Sequence, residues 1–290
     1  MYRIAFLGCE NSHANNFLSQ IIEQGMYPDV EVVGVYSNEP AAAEKLREKY
    51  GVAVADAPDA FVGKVDGLVI TARDGIYHYP YAKPYIESGI PMFIDKPITS
   101  DDEEAVAFMK ALRANGVRVT GGSSCIRADD VIRIKGESVS EEGGKILAGT
   151  VRAPLQSASP YGGFFFYAQH LVQIAQEIFG YYPASVRAYK KGDILHATLA
   201  YEGYDVSCIF TDNSYSYSIA VHREKGTNFG DVKIDAVAFE REFKEFYALL
   251  CGEEQKQSYR DFIAPVFVMT AIKRALDSGK EEAVFSCEEI

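Results

Sequence analysis

Apolar residues along the first 120 or so positions come in short runs separated by helical patterns. Tyr2–Leu7 is a continuous apolar-leaning run, as expected of a strand covered on both faces. Phe17, Leu18, Ile21 and Ile22 then share one helical face, and Gly25 can end that helix in a left-handed cap. Val30–Tyr36 predicts the next strand, and Ala41–Tyr50 a helix stopped at Gly51. Gly67–Thr71 and Met92–Ile94 predict two more buried strands. Between them a helix runs to Ser88-Gly89; Pro80 suits its first turn, and Pro84 in its interior predicts a kink. Ser100 with Glu103 reads as a capping box opening a helix that ends at Asn115-Gly116, and Val117–Thr120 as a further strand. Strand and helix in alternation imply a parallel sheet with right-handed crossovers. Residues 1–122 are therefore expected to form one doubly wound α/β domain.

The pattern changes after residue 122. A helical stretch near Ala128–Glu137 and a Glu142-Gly143-Gly144 turn lead into Lys145–Ala153, whose alternation predicts a strand; a helix follows over Gly163–Phe179. Ser185–Lys190, Leu195–Tyr201, Val206–Thr211, Tyr215–Val221 and Val232–Ile234 are strand-like segments split by glycine- and asparagine-containing turns. Strands in such succession imply an antiparallel sheet. Helices near Val237–Leu250 and Asp261–Ser278 close the chain. Residues 123–290 are expected to form an α+β domain with an open antiparallel sheet. Such a sheet leaves one face to cover, so a homodimer or homotetramer through it is expected.

Composition narrows the function. The 290 residues leave room for two domains, and 48% hydrophobic with 24% charged content excludes a disordered chain. Lys and Arg number 29 against 41 Asp and Glu, a net charge of −12. No basic run exceeds Lys190-Lys191, so no nucleic-acid partner is expected, because phosphate contacts need clustered cations. Cys9, Cys125, Cys208, Cys251 and Cys287 lie far apart without CxxC spacing and read as reduced thiols of a cytoplasmic protein. The first residues lack the charge-then-apolar pattern of a signal peptide, and no stretch approaches the roughly 18 apolar residues of a membrane span.

Ligands of open parallel sheets lie beyond the carboxyl ends of the strands, which singles out three segments. Gly8-Cys9-Glu10-Asn11-Ser12-His13 follows the first strand. Gly8 stands where a dinucleotide fingerprint begins, and Asn11 and Ser12 are good helix caps whose neighbouring N–H groups suit a phosphate. Glu10 and His13 replace the second and third glycines. A carboxylate about 4 Å from a phosphate charge costs roughly 4 kcal/mol at an effective dielectric near 20. Taken alone, the loop reads more readily as a capped strand-to-helix turn. Ser37 and Asn38, at the tip of the second strand, supply neither the acid that holds an NAD ribose nor the arginine that suits NADP. Asp95-Lys96-Pro97 places a lysine beside the crevice, either as a proton donor or as a surface lysine paired with Asp95. Further on, Gly162-Gly163 opens a helix on which Phe166, His170, Gln173 and Glu177 share a face away from the Leu171, Ile174, Ile178 stripe. The Cys9, His13 and His78 set lacks the four ligands of a structural zinc, so no metal is expected.

Together these features resemble the Gfo/Idh/MocA oxidoreductases, the glucose–fructose oxidoreductase and inositol dehydrogenase family, over almost the whole chain. Phe93-Ile94-Asp95-Lys96-Pro97-Ile98 is similar to the family's Glu-Lys-Pro segment. Ile70-Thr71-Ala72 followed by His78 looks like its Thr-Pro…His segment, Arg127 sits like its crossover arginine, and Gly162-Gly163 with His170 resembles its glycine-rich catalytic helix. The resemblance implies a Rossmann-like first domain binding NAD or NADP through Gly8, Glu10, Asn11, Ser12, Ser37, Asn38, Thr71, His78 and Lys96, and a substrate-binding second domain. It implies hydride transfer to or from a sugar, cyclitol or related polyhydroxy substrate, with Lys96 and His170 catalytic. Arg127, Tyr161, Tyr167 and His170 would orient the substrate. Two departures stand on the catalytic helix: Phe166 replaces the family's aspartate four residues before the histidine, and Ala168 its glycine. Tyr167 points about 100° away from Phe166. Glu10, the missing ribose acid and Phe166 leave a second reading open, a family member without redox activity that binds a ligand or regulates.

Overall fold

The computed structural model describes residues 1–287 and 290. The chain begins β1 (Tyr2–Leu7), α1 (Ser12–Leu18), β2 (Val30–Tyr36), α2 (Pro40–Tyr50), β3 (Gly67–Ile70), α3 (His78–Ala82), β4 (Met92–Asp95), α4 (Asp102–Ala114) and β5 (Val119–Gly122). The five strands form one parallel sheet in the order β2-β1-β3-β4-β5. The order reverses between β1 and β3, and that switch point is where a ligand crevice opens. β3 and β4 are buried along their whole length, so both faces of the sheet are covered.

Local details depart from the sequence pattern for identifiable reasons. The cap of α4 is Asp101, not Ser100; its carboxylate accepts from Glu104 N at 2.8 Å, and Glu104 reaches back to the Thr99 hydroxyl. The cap's half of the box is thus shifted by one residue, and the Glu104 carboxylate closes on the Thr99 side chain. The helix carrying Pro84 is an α-helical turn, α3, followed by a 3₁₀ stretch over Lys83–Ser88, as a residue without an N–H and with a fixed φ favours.

The rest of the chain continues α5 (Asp129–Ser138), β6 (Ile146–Pro154), α6 (Phe164–Phe179), β7 (Ser185–Lys191), β8 (Ile194–Tyr201), β9 (Tyr204–Thr211), β10 (Tyr217–Arg223), β11 (Gly226–Val232), α7 (Ala236–Leu250), α8 (Tyr259–Ser278) and β12 (Glu282–Ala283). The second sheet runs β11-β10-β6-β9-β8-β7-β12. It is mixed rather than purely antiparallel, because β6 and β9 pair in parallel at its centre. The segment expected as a Val232–Ile234 strand is instead Gly226–Val232, and Ile234 lies beyond it. Val151, Val221, Cys208 and Phe210 of the inner face pack with Leu171 and Ile174 of α6 in one core.

One helix crosses the expected boundary at residue 122. Phe243 and Phe246 of α7 join Phe17, Tyr27 and Phe93 of the first domain in an aromatic cluster. Gly67 is the counterpart of this docking, since an added Cβ would lie 2.4 Å from Leu250 Cδ2. Each fully buried phenylalanine contributes roughly 1.5–3 kcal/mol, so the first sheet is completed by a segment of the second half.

Candidate active site

A cavity of about 970 Å³ opens at the carboxyl ends of β1, β3 and β4 and is closed from the other side by α6 and the loop before it. Asn11, Ser12, Lys96, Tyr161, Tyr167 and His170 all line it, so the resemblance-derived residues from both domains meet there.

Lys96 is buried. Its Nζ donates to the Phe166 carbonyl at 3.3 Å and lies 4.4 Å from the Phe166 ring centre and 5.5 Å from that of Tyr167. Burial pushes its ammonium below the ordinary lysine range, with the adjacent Asp95 opposing. Phe166, where the family has an aspartate, thus serves Lys96 through its carbonyl and ring face. The turn before Lys96 is fixed because Asp95 accepts from Lys96 N at 2.7 Å and from the Asn11 amide.

His170 is also buried, against the expectation that it lies off the core face. The second domain folds over it: Nδ1 lies 2.6 Å from Ser123 Oγ and 3.3 Å from Cys125 Sγ, and the Tyr167 ring stands edge-on at 4.8 Å. Burial, helped by the charges of Lys96 and His13, holds its pKa well below the usual imidazole value, so it is neutral at pH 7. The Cys125 thiol beside it is pushed up to about 11 by burial and stays protonated.

His13 is a cavity residue that the sequence suggested only as a replaced glycine and as one of a set too small for a structural zinc. Nδ1 is 3.2 Å from Asp95 Oδ2 and Nε2 is 3.2 Å from Glu242 Oε2, close ion-pair contacts that are not aligned as hydrogen bonds. Burial pulls its pKa down, but the two carboxylates more than offset this and raise it. Glu242 comes from α7, which no local signal linked to this loop.

Arg127 is placed elsewhere. Its guanidinium donates to Glu245 at 2.6 and 2.9 Å, to Glu242 at 3.3 Å and to the carbonyls of Gly121 and Ser123, and it borders a second cavity of about 770 Å³. It therefore pins α7 to the end of β5 and does not line the 970 Å³ cavity, contrary to the expectation that it orients a substrate with Tyr161, Tyr167 and His170. His78 and Thr71 are likewise fully buried. The His78 ring spans the carbonyls of Ala72 and Ile98, and Thr71 holds the Gly8 carbonyl; both brace the crevice floor from below. Gly8, at φ +75°, has room for no Cβ, which would sit 2.4 Å from Ala72. Asn38 is exposed at the strand tip and lines no described cavity.

Glu10 does not point where an incoming phosphate would lie. Its carboxylate folds back across the strand tips, accepting from Ser37 Oγ at 2.7 Å and from Arg73 N at 2.9 Å. Glu39 N donates to the same Ser37 oxygen at 3.1 Å, which turns the hydroxyl proton toward Glu10. A carboxylate has about four acceptor sites, so two remain open. Nearby, the Tyr81 hydroxyl is buried without a hydrogen-bond partner among the described residues, its ring packed against Tyr36 and Tyr77. The tip of β2 thus carries an acid after all, supplied by the β1 loop, and these residues fit a dinucleotide whose ribose hydroxyls lie there.

Among the described residues no three His, Cys, Asp or Glu side chains are grouped as metal ligands, and no helix is long and apolar enough to cross a membrane. Residues 2–123 match the profile of the Gfo/Idh/MocA oxidoreductase family, NAD-binding Rossmann fold. A putative myo-inositol dehydrogenase from Sinorhizobium meliloti 1021 has the same fold, with a TM-score of 0.82 and 19% identity over 98% of this chain and 100% of that one. GenD2 from gentamicin A biosynthesis, solved in complex with NAD, superposes with a TM-score of 0.85 at 15% identity, covering 98% of this chain and 97% of that one. A putative UDP-kanosamine synthase oxidoreductase subunit from Amycolatopsis mediterranei is 24% identical over 103 residues, which is 36% of this chain and 29% of that protein. These likenesses to solved structures are likenesses of fold; the profile match adds that residues 2–123 are similar in sequence to the NAD-binding Rossmann fold of the Gfo/Idh/MocA oxidoreductases.

Proposed function

We propose that the chain is an NAD-dependent dehydrogenase of a polyhydroxy substrate, with Lys96 and His170 as its catalytic residues. The observation that carries this reading is the convergence of these two side chains, one from each half of the chain, on the same cavity. Nicotinamide, when bound, accepts or supplies the hydride. The work of the protein's own groups is protonic. Lys96 Nζ, with one hydrogen bond to a carbonyl, has donors left for a substrate oxygen. Ser123 Oγ can accept from Nδ1–H of His170 while also accepting from Cys125 N, which leaves Nε2 as an unprotonated acceptor for a substrate hydroxyl proton. Asn11 and Ser12 would meet the phosphates, and Glu10 on Ser37 the ribose, favouring NAD over NADP.

The test is turnover on a panel of cyclitols and sugars with NAD. Lys96→Ala and His170→Ala are each expected to lower it by roughly 10²–10⁴-fold. No NADH binding and no turnover on any panel member would leave the non-redox reading in its place. The same proposal locates the protein, with five unpaired cysteines, in a reducing cytoplasm. It also has the outer face of the second sheet cover itself with another copy. The central row there is small, Ala220, Thr150, Ser207 and Thr198 lying opposite one another, with Tyr189 and Phe229 exposed nearby.

A further inference from the structure

The geometry points to a substrate that carries a carboxylate, held by Arg73. The assignment rests on the dehydrogenase reading and names the substrate class of its cavity. Arg73 follows β3 and sends its two ends in opposite directions. Its backbone N–H serves Glu10, on the cofactor side. Its guanidinium turns toward the second domain, 5.0 Å from the centre of the Tyr161 ring, with Nη1 3.4 Å from the Tyr161 hydroxyl. Among the described residues no carboxylate lies within ion-pair distance of it. The adjacent Asp74 is engaged elsewhere, capping the turn at Ile76 N.

The nearby charges strengthen the assignment. Lys96 lies on the same cavity, buried, and among the described residues its Nζ has the Phe166 carbonyl as its one hydrogen-bond acceptor. His13 lines the same wall, but its two ring nitrogens each lie 3.2 Å from a carboxylate, of Asp95 and of Glu242. Asp212, one of the cavity's acids, is bound to Ser157 and lies 3.7 Å from Lys190. Asp193 stands with Lys190 in the same lining, on the turn between β7 and β8. One end of the cavity therefore holds cations with unfilled donors. A neutral polyol would leave the guanidinium fork unmatched, whereas a carboxylate accepts from it in bidentate fashion. Arg73, Lys96 and His170 line the one cavity, so a sugar acid there would set its carboxylate on Arg73 and a hydroxyl on Lys96 and His170. A cofactor pyrophosphate is the other anion that could meet an arginine here, but the side chain leans on Tyr161, on the substrate side.

The experiment is calorimetric titration of the whole protein, saturated with NADH, against matched pairs: glucose and glucuronate, galactose and galacturonate, sorbitol and gluconate. At least one acid is expected to bind tenfold or more tighter than its neutral partner. Arg73→Gln should abolish that preference, and Arg73→Lys should restore part of it, which separates loss of charge from loss of fold. NADH affinity, read from its own fluorescence, should change less than twofold in both variants. No acid exceeding its neutral partner would overturn the assignment. So would a fall in NADH affinity in Arg73→Gln equal to the fall in acid affinity, which would mark the anion as the cofactor's. Failure of the wild-type protein to bind NADH would instead overturn the dehydrogenase reading, while an Arg73-dependent preference for the acid, measured without NADH, would stand.

Discussion

Replacing Glu10 with Gln removes one negative charge from the tip of β2 while keeping a side chain of the same length, whose oxygen can accept from Arg73 N while its NH2 donates to Ser37 Oγ. The consequence falls on the choice between NAD and NADP. A 2′-phosphate over this tip would stand near the carboxylate, and two unit charges about 4 Å apart interact with roughly 4 kcal/mol at an effective dielectric of 20. Glu10 is only partly buried, so solvent and salt reduce that to about 1–3 kcal/mol. The wild-type protein should therefore favour NADH over NADPH by about ten- to hundredfold, since 1.4 kcal/mol is tenfold. Glu10→Gln should bring the ratio to within about threefold of unity, mostly by tightening NADPH. The chain has no tryptophan, so reduced nicotinamide emission can be titrated without indole background. Equal affinity for the two cofactors in the wild type would refute the reasoning, as would a ratio unchanged by the substitution. A large gain in NADH affinity in Glu10→Gly would show that the carboxylate obstructs the crevice.

Three further outcomes are expected. Arg127→Met leaves Glu242 and Glu245 without their buried partner; breaking such a pair costs about 3–5 kcal/mol, so calorimetry should show Tm lower by roughly 6–20 °C. His13 has a raised pKa in the folded protein, so its stabilising contribution is complete below the ordinary imidazole value of about 6.5 and fades as pH rises through the folded value. The Tm gap between wild type and His13→Asn should then be widest near pH 6 and narrow toward alkaline pH; a gap that widens with pH would contradict the paired imidazolium. Thr150→Arg, at the centre of the outer sheet face, should convert a dimer or tetramer to a monomer by light scattering, and a wild type that is already monomeric would defeat the proposed self-association.

Legibility followed the range of the forces involved. The strands of the first sheet read directly from runs such as Gly67–Ile70 and Met92–Asp95, because burial on both faces demands continuous apolar sequence. The strands of the second sheet read from alternation and turns, but the parallel pairing of β6 with β9 joins segments some 58 residues apart and leaves no local mark. Lys96 and His170 were visible because each stands in a recognisable segment. The fate of Glu10 was not, because the direction a carboxylate takes depends on donors at residues 37 and 73. Arg73 did sit beyond a strand end, where the switch-point rule could have found it. Arg127 misled for the same reason that α7 surprised: the acids that claim its guanidinium lie more than a hundred residues downstream.

That downstream helix bears on how the site is held. Asp95 fixes the backbone of Lys96 and contacts His13; His13 contacts Glu242; Glu242 contacts Arg127; and Arg127 grips the carbonyls of Gly121 and Ser123, the latter being the residue that orients His170. The chain of charges therefore runs from Lys96 to His170 behind the cavity, and its middle member belongs to α7. The aromatic contacts of Phe243 and Phe246 give that helix its place, and the charges use it. Two proton-handling groups from different domains need a common reference to stay in register. Here the reference is a helix that leaves one domain to pack on the other, which is why the Rossmann half alone would hold Lys96 without its geometry.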